Sequence, residues 1–193
     1  MKRPVLTVVL IVLSVAASVL VLDPDPSGPV SFLFIGTPGS PLFADILHGQ
    51  VWRLVTPIFL HFGLLHILFN MMWLWDLGRA LELLKGRTFL ATFILASGIA
   101  SNIAQYAITQ RATFGGMSGV VYALLGYIWM QGRMNRLGIA LHQSTVIMMI
   151  GWFVLCWTGL LGPIANWAHT AGLAIGVAWG VLDRGRPVAP SAA

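Results

Sequence analysis

Long apolar segments, separated by short connections that hold most of the basic residues, constrain the fold of this chain more than any other feature. Of its 193 residues, 58% are hydrophobic and only 9% are charged, whereas an ordinary globular domain has about a quarter charged residues. The composition therefore predicts an integral membrane protein, and apolar stretches of this length predict membrane helices.

Six segments are interpreted as transmembrane helices, so the predicted fold class is an all-α polytopic bundle in a single domain over residues 1–193. They are Val5–Leu22, Phe62–Leu84, Phe89–Ile108, Val120–Met130, Ser144–Leu161 and Asn166–Leu182. The predicted divisions are a first helix in 1–22, a long first loop in 23–56, the other helices in 57–183 and a short tail in 184–193. A connection as long as this loop usually has a shape of its own, so we expect it to be structured.

The first segment has two interpretations, a secretory signal peptide and a retained helix. Its 18 residues exceed the usual length of about 7–15 for the apolar part of a signal. The Asp23-Pro24-Asp25-Pro26 stretch that follows offers no small-residue cleavage site. These observations favour a retained helix.

The positions of the Lys and Arg residues predict the orientation of the chain. If the N-terminus is cytoplasmic, nine of the eleven basic residues lie on the cytoplasmic side, and only Arg53 and Arg111 lie outside. The positive-inside rule then places both termini in the cytoplasm. The net charge of +5 does not indicate nucleic-acid binding, because the basic residues occur in ones and twos rather than in a patch.

A glycine-rich turn, Phe114-Gly115-Gly116-Met117-Ser118-Gly119, leads into the fourth segment. Taken from near Ser118 to near Gly132, that segment covers only about 22 Å at 1.5 Å per residue, less than the hydrocarbon core of about 30 Å. Ser118 should therefore lie below the outer surface, where irregular backbone is buried by other helices or borders a cavity. Serine is also a favoured helix N-cap, so capping and catalysis are both open at this point.

Three further polar side chains are predicted at the same depth. His66 and Asn70 share one helical face at a spacing of four, and His169 lies about one turn into the sixth segment. A serine and a neutral histidine form a nucleophile with its general base, and Asn amides, His N–H groups and amides at a helix start suit an oxyanion. Tyr122 shares a helical face with Ser118, so it can stack on the imidazole or serve in ordinary packing.

Other interpretations of these residues are open. Each histidine could be a packed residue that links helices by a hydrogen bond, or His66 and His169 could bind a metal, although no carboxylate lies at their depth. No Asp or Glu is placed to orient His169, so the sequence offers a dyad rather than a triad. The single cysteine, Cys156, excludes an intramolecular disulfide or a thiolate cluster. We expect no metal and no other cofactor.

Small residues recur at a spacing of four around the fourth and sixth segments. They are Gly115, Gly119 and Ala123 around the fourth, and Gly172, Gly176 and Gly180 on the sixth. Such faces let helix backbones approach closely. Close approach of these two helices is what a hydrogen bond between Ser118 and His169 requires.

Four motifs occur in order over about Val51–Asp183: Trp52-Arg53, His66-x-x-x-Asn70, Gly116-Met117-Ser118-Gly119 and Ala168-His169 followed by Gly172. In this combination the chain resembles the rhomboid intramembrane serine proteases, especially the bacterial type with six helices. The resemblance implies a multi-pass protein of the bacterial inner membrane, surrounded by lipid, that cuts transmembrane substrate proteins near the outer end of their helices.

The resemblance also implies roles for individual residues. Ser118 would be the nucleophile and His169 the base. His66, Asn70 and the Ser118 amide would form the oxyanion hole, and Gly116 would belong to the loop beside the nucleophile. The Tyr122 ring would support His169. Trp52 and Arg53 would belong to the structured first loop.

Two departures from the family pattern stand out. Trp167 precedes Ala168-His169 where related sequences often carry a small residue, and its ring could narrow the cavity or change contacts of the cap loop near Gly162-Pro163. The first segment starts at Val5, so we expect no soluble cytoplasmic domain of the kind that some bacterial relatives carry.

Two competing function classes are a non-catalytic relative that recruits client helices and a small transporter or channel. A transporter predicts polar positions that continue to the inner face. The inner halves of these segments are nearly all apolar, which disfavours that class.

Overall fold

Apolar runs punctuated by glycine and proline fold into helices throughout the part of the chain that the computed structural model describes, which is residues 3–20, 28 and 30–184. The all-α fold class is confirmed for these residues. The α-helices are α1 (Val5–Leu20), α2 (Ala44–Leu47), α3 (Leu64–Trp73), α4 (Arg79–Lys85), α5 (Arg87–Thr109), α6 (Ser118–Arg133), α7 (Gln143–Trp157) and α8 (Asn166–Leu182). Short 3₁₀ helices lie at Ser31–Leu33, Val51–Leu54 and Thr56–Phe59, and a π-helical turn lies at Leu74–Gly78.

Some predicted features lie outside the described residues. They are the end of the first helix at 21–22, the Asp23-Pro24-Asp25-Pro26 stretch, the basic residues Lys2 and Arg186, and the tail beyond residue 184. The divisions of the predicted single domain stay a prediction.

Membrane crossing is indicated by length and composition for one described helix, the 23-residue α5. The helices α1 and α7 are apolar but shorter. The 16 residues of α6 cover about 24 Å at 1.5 Å per residue. The number of six crossings stays a prediction.

Two segments differ from their predicted form. The second predicted segment, Phe62–Leu84, contains α3 and α4 joined by the π-helical turn. At the end of that turn Gly78 packs against Leu74 and against Thr7 of α1. The helix α7 ends at Trp157 rather than at Leu161. It ends there because Gly159 and Gly162 have positive φ angles of 78° and 82°, which a continuing α-helix does not allow.

The helix α6 occupies the centre of the fold. Its side chains Val120, Leu124, Leu125 and Ile128 are fully buried, and residues of α3, α5 and α8 surround them. Lipid covers an apolar helix as well as protein does, so an apolar sequence alone does not decide which helix of a membrane protein lies at the centre. The central position of α6 places Ser118, its first residue, inside the bundle.

The backbones of α6 and α8 touch along a seam of small residues. A Cβ added to Gly172 would overlap the carbonyl oxygen of Gly119, and one added to Gly176 would overlap that of Ala123. On the α6 side, a Cβ at Gly126 would lie 2.8 Å from the amide nitrogen of Val177. These contacts leave no room for side chains between the two helices.

The start of α1 is held by a carboxylate from α4. Glu82 accepts hydrogen bonds from the amides of Leu6 and Thr7 at 2.9 and 2.8 Å, and from Thr7 Oγ1 at 2.7 Å. The first amides of a helix have no hydrogen-bond acceptor within the helix and carry a partial positive charge. A carboxylate accepts their hydrogen bonds and also neutralises that charge. The buried Glu82 thereby joins α1 to the rest of the bundle.

Arg53 organises the first loop. Its buried guanidinium donates to the carbonyl oxygens of Ser31 and Phe34 at 2.9 and 2.8 Å and to Gln50 Oε1 at 2.7 Å. Trp52 Nε1 donates to the carbonyl of Phe32 at 3.0 Å. Two parts of the loop that are about 20 residues apart are thus tied together.

The glycine seam predicts a sharp stability difference between two glycines. Gly172→Ala has to push α8 away from α6, and overpacking of this kind costs about 1–3 kcal/mol, or about 2–12 °C in thermal midpoint. Gly151→Ala on α7 is the matched control, because no atom lies within 4 Å of an added Cβ there. Thermal unfolding in detergent should show a lowered midpoint for Gly172→Ala and an unchanged or raised one for Gly151→Ala; equal midpoints would contradict the seam.

Candidate active site

The structure brings Ser118 and His169 into hydrogen-bonding contact. Ser118 begins α6, His169 lies in the first turn of α8, and Ser118 Oγ is 2.8 Å from His169 Nε2. Both residues face the α6–α8 seam, and His169 is 5% exposed. A serine hydroxyl at this distance can give its proton to a neutral imidazole.

The ring of His169 is held by packing. The Tyr122 ring lies 4.9 Å from it between centroids, at an interplanar angle of 43°. Tyr122 is fixed in turn by its hydroxyl, which donates to the carbonyl of Met149 on α7 at 3.2 Å. Within the described residues His169 Nδ1 has no hydrogen-bond partner, so the imidazole is oriented by Ser118 and by the Tyr122 ring.

His66 faces the glycine-rich turn with a donor nitrogen. Its Nδ1 accepts a hydrogen bond from the amide of Phe62 at 3.3 Å, which places the proton of a neutral ring on Nε2. A Cβ built on Gly116 would lie 2.7 Å from His66 Nε2 and 3.5 Å from Ser118 Oγ. Gly116 has a φ of 125° and lies between the two side chains, so both its backbone conformation and the space require glycine.

Asn70 lies one turn after His66 on α3 and is buried. Its Nδ2 donates to the carbonyl of His66 at 2.9 Å. That bond uses one of the two amide protons and fixes the plane of the amide, so the second proton keeps a defined direction.

The glycine-rich turn is anchored by residues that the sequence did not single out. The amide of Gly116 donates to the carbonyl of Pro57 at 3.0 Å, and the amide of Met117 donates to His61 Nε2 at 3.2 Å. The signal for His61 was present in the sequence, since it is a histidine five residues before His66. The carbonyl of Pro57 gives no sequence signal.

A second residue missed in the sequence holds the start of α8. Gln105 Oε1 on α5 accepts hydrogen bonds from the amides of Trp167 and Ala168 at 3.1 and 3.2 Å. The Trp167 ring packs edge-on against Trp157 at the end of α7, with centroids 5.1 Å apart. Trp167 therefore contacts the end of α7 next to the cap loop.

The chemistry available here is that of a nucleophile, a base and a set of N–H donors. The nucleophile and base touch, and the donors are His66 Nε2, Asn70 Nδ2 and the first amides of α6, which have no acceptor within their own helix. In the part of the chain that the structure describes, no three His, Cys, Asp or Glu side chains are grouped closely enough to bind a metal ion.

The sequence model of the rhomboid domain matches residues 48–186. The chain is 41% identical over 143 residues to the rhomboid protease GlpG of Salmonella paratyphi A (strain ATCC 9150 / SARB42), a match covering 73% of this chain and 51% of the relative. The GlpG proteins of Salmonella choleraesuis (strain SC-B67) and Salmonella newport (strain SL254) match with the same identity and coverage.

The chain spans about half the length of the curated relatives it matches. The matched domain includes every residue of the site described above, from Pro57 to His169, and far more than half of the chain. The chain therefore belongs to the rhomboid family.

Proposed function

We propose that this protein is an intramembrane serine endopeptidase that hydrolyses peptide bonds in or near the outer end of transmembrane helices of other proteins. The observation that carries the proposal is the 2.8 Å contact between Ser118 Oγ and His169 Nε2, with the further donors His66 and Asn70 held by hydrogen bonds of their own. The names of its relatives, rhomboid proteases, support the same activity.

The first chemical step is attack on the substrate carbonyl. Ser118 Oγ forms a bond to the carbonyl carbon while its proton moves to His169 Nε2, and the carbonyl oxygen becomes an oxyanion. His66 Nε2, Asn70 Nδ2 and the Ser118 amide are the proposed donors to that oxyanion. Donors fixed before the reaction stabilise such a charge without reorganisation, and the bonds that fix His66 and Asn70 support this role.

The second half of the cycle releases the products. As the intermediate collapses, the C–N bond breaks and His169 gives its proton to the leaving amine. A water molecule then attacks the acyl carbon while His169 accepts the water proton; the bond between that carbon and Ser118 Oγ breaks as His169 returns the proton to Ser118 Oγ, and the acid product leaves. Gly116, which has no side chain, leaves the space between His66 Nε2 and Ser118 Oγ unfilled, and the Tyr122 ring holds the imidazole.

The proposed setting is the bacterial inner membrane, with both termini in the cytoplasm, lipid around the six helices and the site in the outer half of the bilayer. The short α6, about 24 Å long, supports this depth for Ser118. Substrate helices have to unwind locally before cleavage, because a helical peptide bond is hydrogen-bonded and shielded. The first loop, folded around Trp52 and Arg53, is proposed to lie partly in the outer leaflet.

Removal of either member of the dyad is expected to abolish cleavage. Ser118→Ala and His169→Ala should lower turnover of a model transmembrane substrate by about 10⁴-fold or more, since neither attack nor proton transfer is then supported. The matched controls are Ser144→Ala and His142→Ala, at the exposed start of α7, which should keep wild-type turnover. Thermal midpoints show that the variants are folded, and undiminished cleavage by either dyad variant would refute the assignment.

Loss of one oxyanion donor should have a smaller effect. We expect Asn70→Ala to lower kcat by about 10²–10³-fold, with little change in KM, because the donor acts on charge that develops only in the transition state. Asn135→Gly is the control, since Asn135 is exposed and has a positive φ of 55° that glycine adopts. Steady-state kinetics in detergent give both constants; an unchanged kcat would exclude Asn70 from the hole.

The proposed orientation predicts which residues a membrane-impermeant maleimide reaches in intact cells. In a Cys156→Ala background, His48→Cys in the first loop should be labelled, whereas Met134→Cys after α6 should be labelled only after the cells are opened. Both positions are exposed in the structure. Labelling of Met134→Cys but not of His48→Cys in intact cells would show the opposite orientation and contradict the prediction.

A further inference from the structure

His61 is a buried histidine that the mechanism above does not use. It is 2% exposed and lies just before α3, between the end of α1 and the glycine-rich turn. Its Nε2 is 3.2 Å from the amide nitrogen of Met117, and its Nδ1 is 3.1 Å from the carbonyl oxygen of Phe59. Ser18 Oγ on α1 lies 3.3 Å from the same Nδ1. Both ring nitrogens are therefore in contact with defined partners.

The partners determine the protonation of the ring. A backbone amide only donates, so His61 Nε2 has to be the unprotonated nitrogen that accepts from Met117. A carbonyl only accepts, so Nδ1 carries the proton and donates to Phe59. The two contacts agree on one neutral tautomer, and this makes His61 a fixed acceptor for the residue directly before Ser118.

The contact has a direct effect on the glycine-rich turn. The turn has two anchored amides, that of Gly116 on Pro57 and that of Met117 on His61. Gly116 has a φ of 125°, a conformation that glycine can leave at little cost. Without the second anchor, the peptide that leads into Ser118 could rotate at Gly116 and change the direction of the Ser118 amide and hydroxyl.

His61 also contacts His66, which lies across Gly116 from Ser118. Its ring packs edge-on against that of His66, with centroids 5.0 Å apart and an interplanar angle of 63°. His66 Nε2 faces Gly116. One buried ring thus contacts both the peptide before the nucleophile and the histidine proposed to hold the oxyanion.

We propose that His61 is a positioning residue, whose Nε2 accepts the Met117 N–H and thereby aligns Ser118 with His66 for attack; this rests on the proposed function. It touches neither the substrate nor the reacting atoms. A hydrogen bond of this kind contributes only modestly to stability, whereas a displacement of about 1 Å at a reacting group costs about 10²-fold in rate. The effect on rate should therefore exceed the effect on stability.

Three substitutions separate the Nε2 contact from simple packing. His61→Leu removes the Nε2 acceptor and fills the space with an apolar side chain. In His61→Gln, Oε1 lies at about the distance of Nε2 from the backbone and can accept from Met117, whereas the shorter His61→Asn reaches only to the level of Nδ1. The matched control is His48→Leu, which removes an exposed histidine of the first loop.

The test compares wild type and these variants by the rate of Ser118 labelling with a fluorophosphonate, by kcat and KM for a model transmembrane substrate, and by thermal midpoint. His61→Leu and His61→Asn should lower both the labelling rate and kcat by about 10–100-fold, with KM within about twofold. His61→Gln should recover most of both rates, and His48→Leu should match wild type.

The outcomes distinguish this inference from the proposed function. If wild type is not labelled, or if Ser118→Ala is labelled equally, the proposed function fails and this inference fails with it. If wild type is labelled but His61→Leu reacts as fast, or if Gln recovers no more than Asn does, the positioning role alone is overturned. A loss of rate that only follows a lowered thermal midpoint, equally in all three variants, would also overturn it.

Discussion

The contact of backbone with backbone between α6 and α8 is the constraint on which the site depends. Gly172 lies against the carbonyl of Gly119, the residue after Ser118, and His169 lies three residues before Gly172, on the same face of α8. Helices that pack through larger side chains stand about 8–10 Å apart between their axes. The glycines let α8 come close enough for His169 Nε2 to reach 2.8 Å from Ser118 Oγ.

This part of the architecture could be predicted from the sequence because it is periodic. Small residues at a spacing of four indicated the seam, and the structure has Gly172 on Gly119 and Gly176 on Ala123. The glycine-rich turn before an apolar segment indicated a helix start near Ser118, and α6 begins at Ser118; the depth of Ser118 in the membrane stays a prediction. Patterns of this kind follow from helix geometry, so a single sequence carries them.

The supporting contacts could not be predicted, because one partner in each is a backbone group. The bond from the Met117 amide to His61 joins residues 56 apart, and the bond from the Trp167 amide to Gln105 joins residues 62 apart. Every residue except proline has such an amide, so nothing in the sequence distinguishes the one that a buried side chain will meet. The π-helical turn at Leu74–Gly78 is hidden for a related reason, since it depends on how α3 and α4 pack against α1.

The long sequence separation of these contacts determines when each can form during synthesis. The amide of Thr7 at the start of α1 binds Glu82, 75 residues later in the chain. Ser118 contacts His169, which follows Ser118 by 51 residues. At about 5–20 residues per second, the ribosome adds His169 about 3–10 seconds after it adds Ser118. Throughout that interval Ser118 lacks the histidine that it contacts in the finished chain. A polypeptide released early would carry most of the bundle without His169, so under the proposed function the order of synthesis keeps unfinished chains inert.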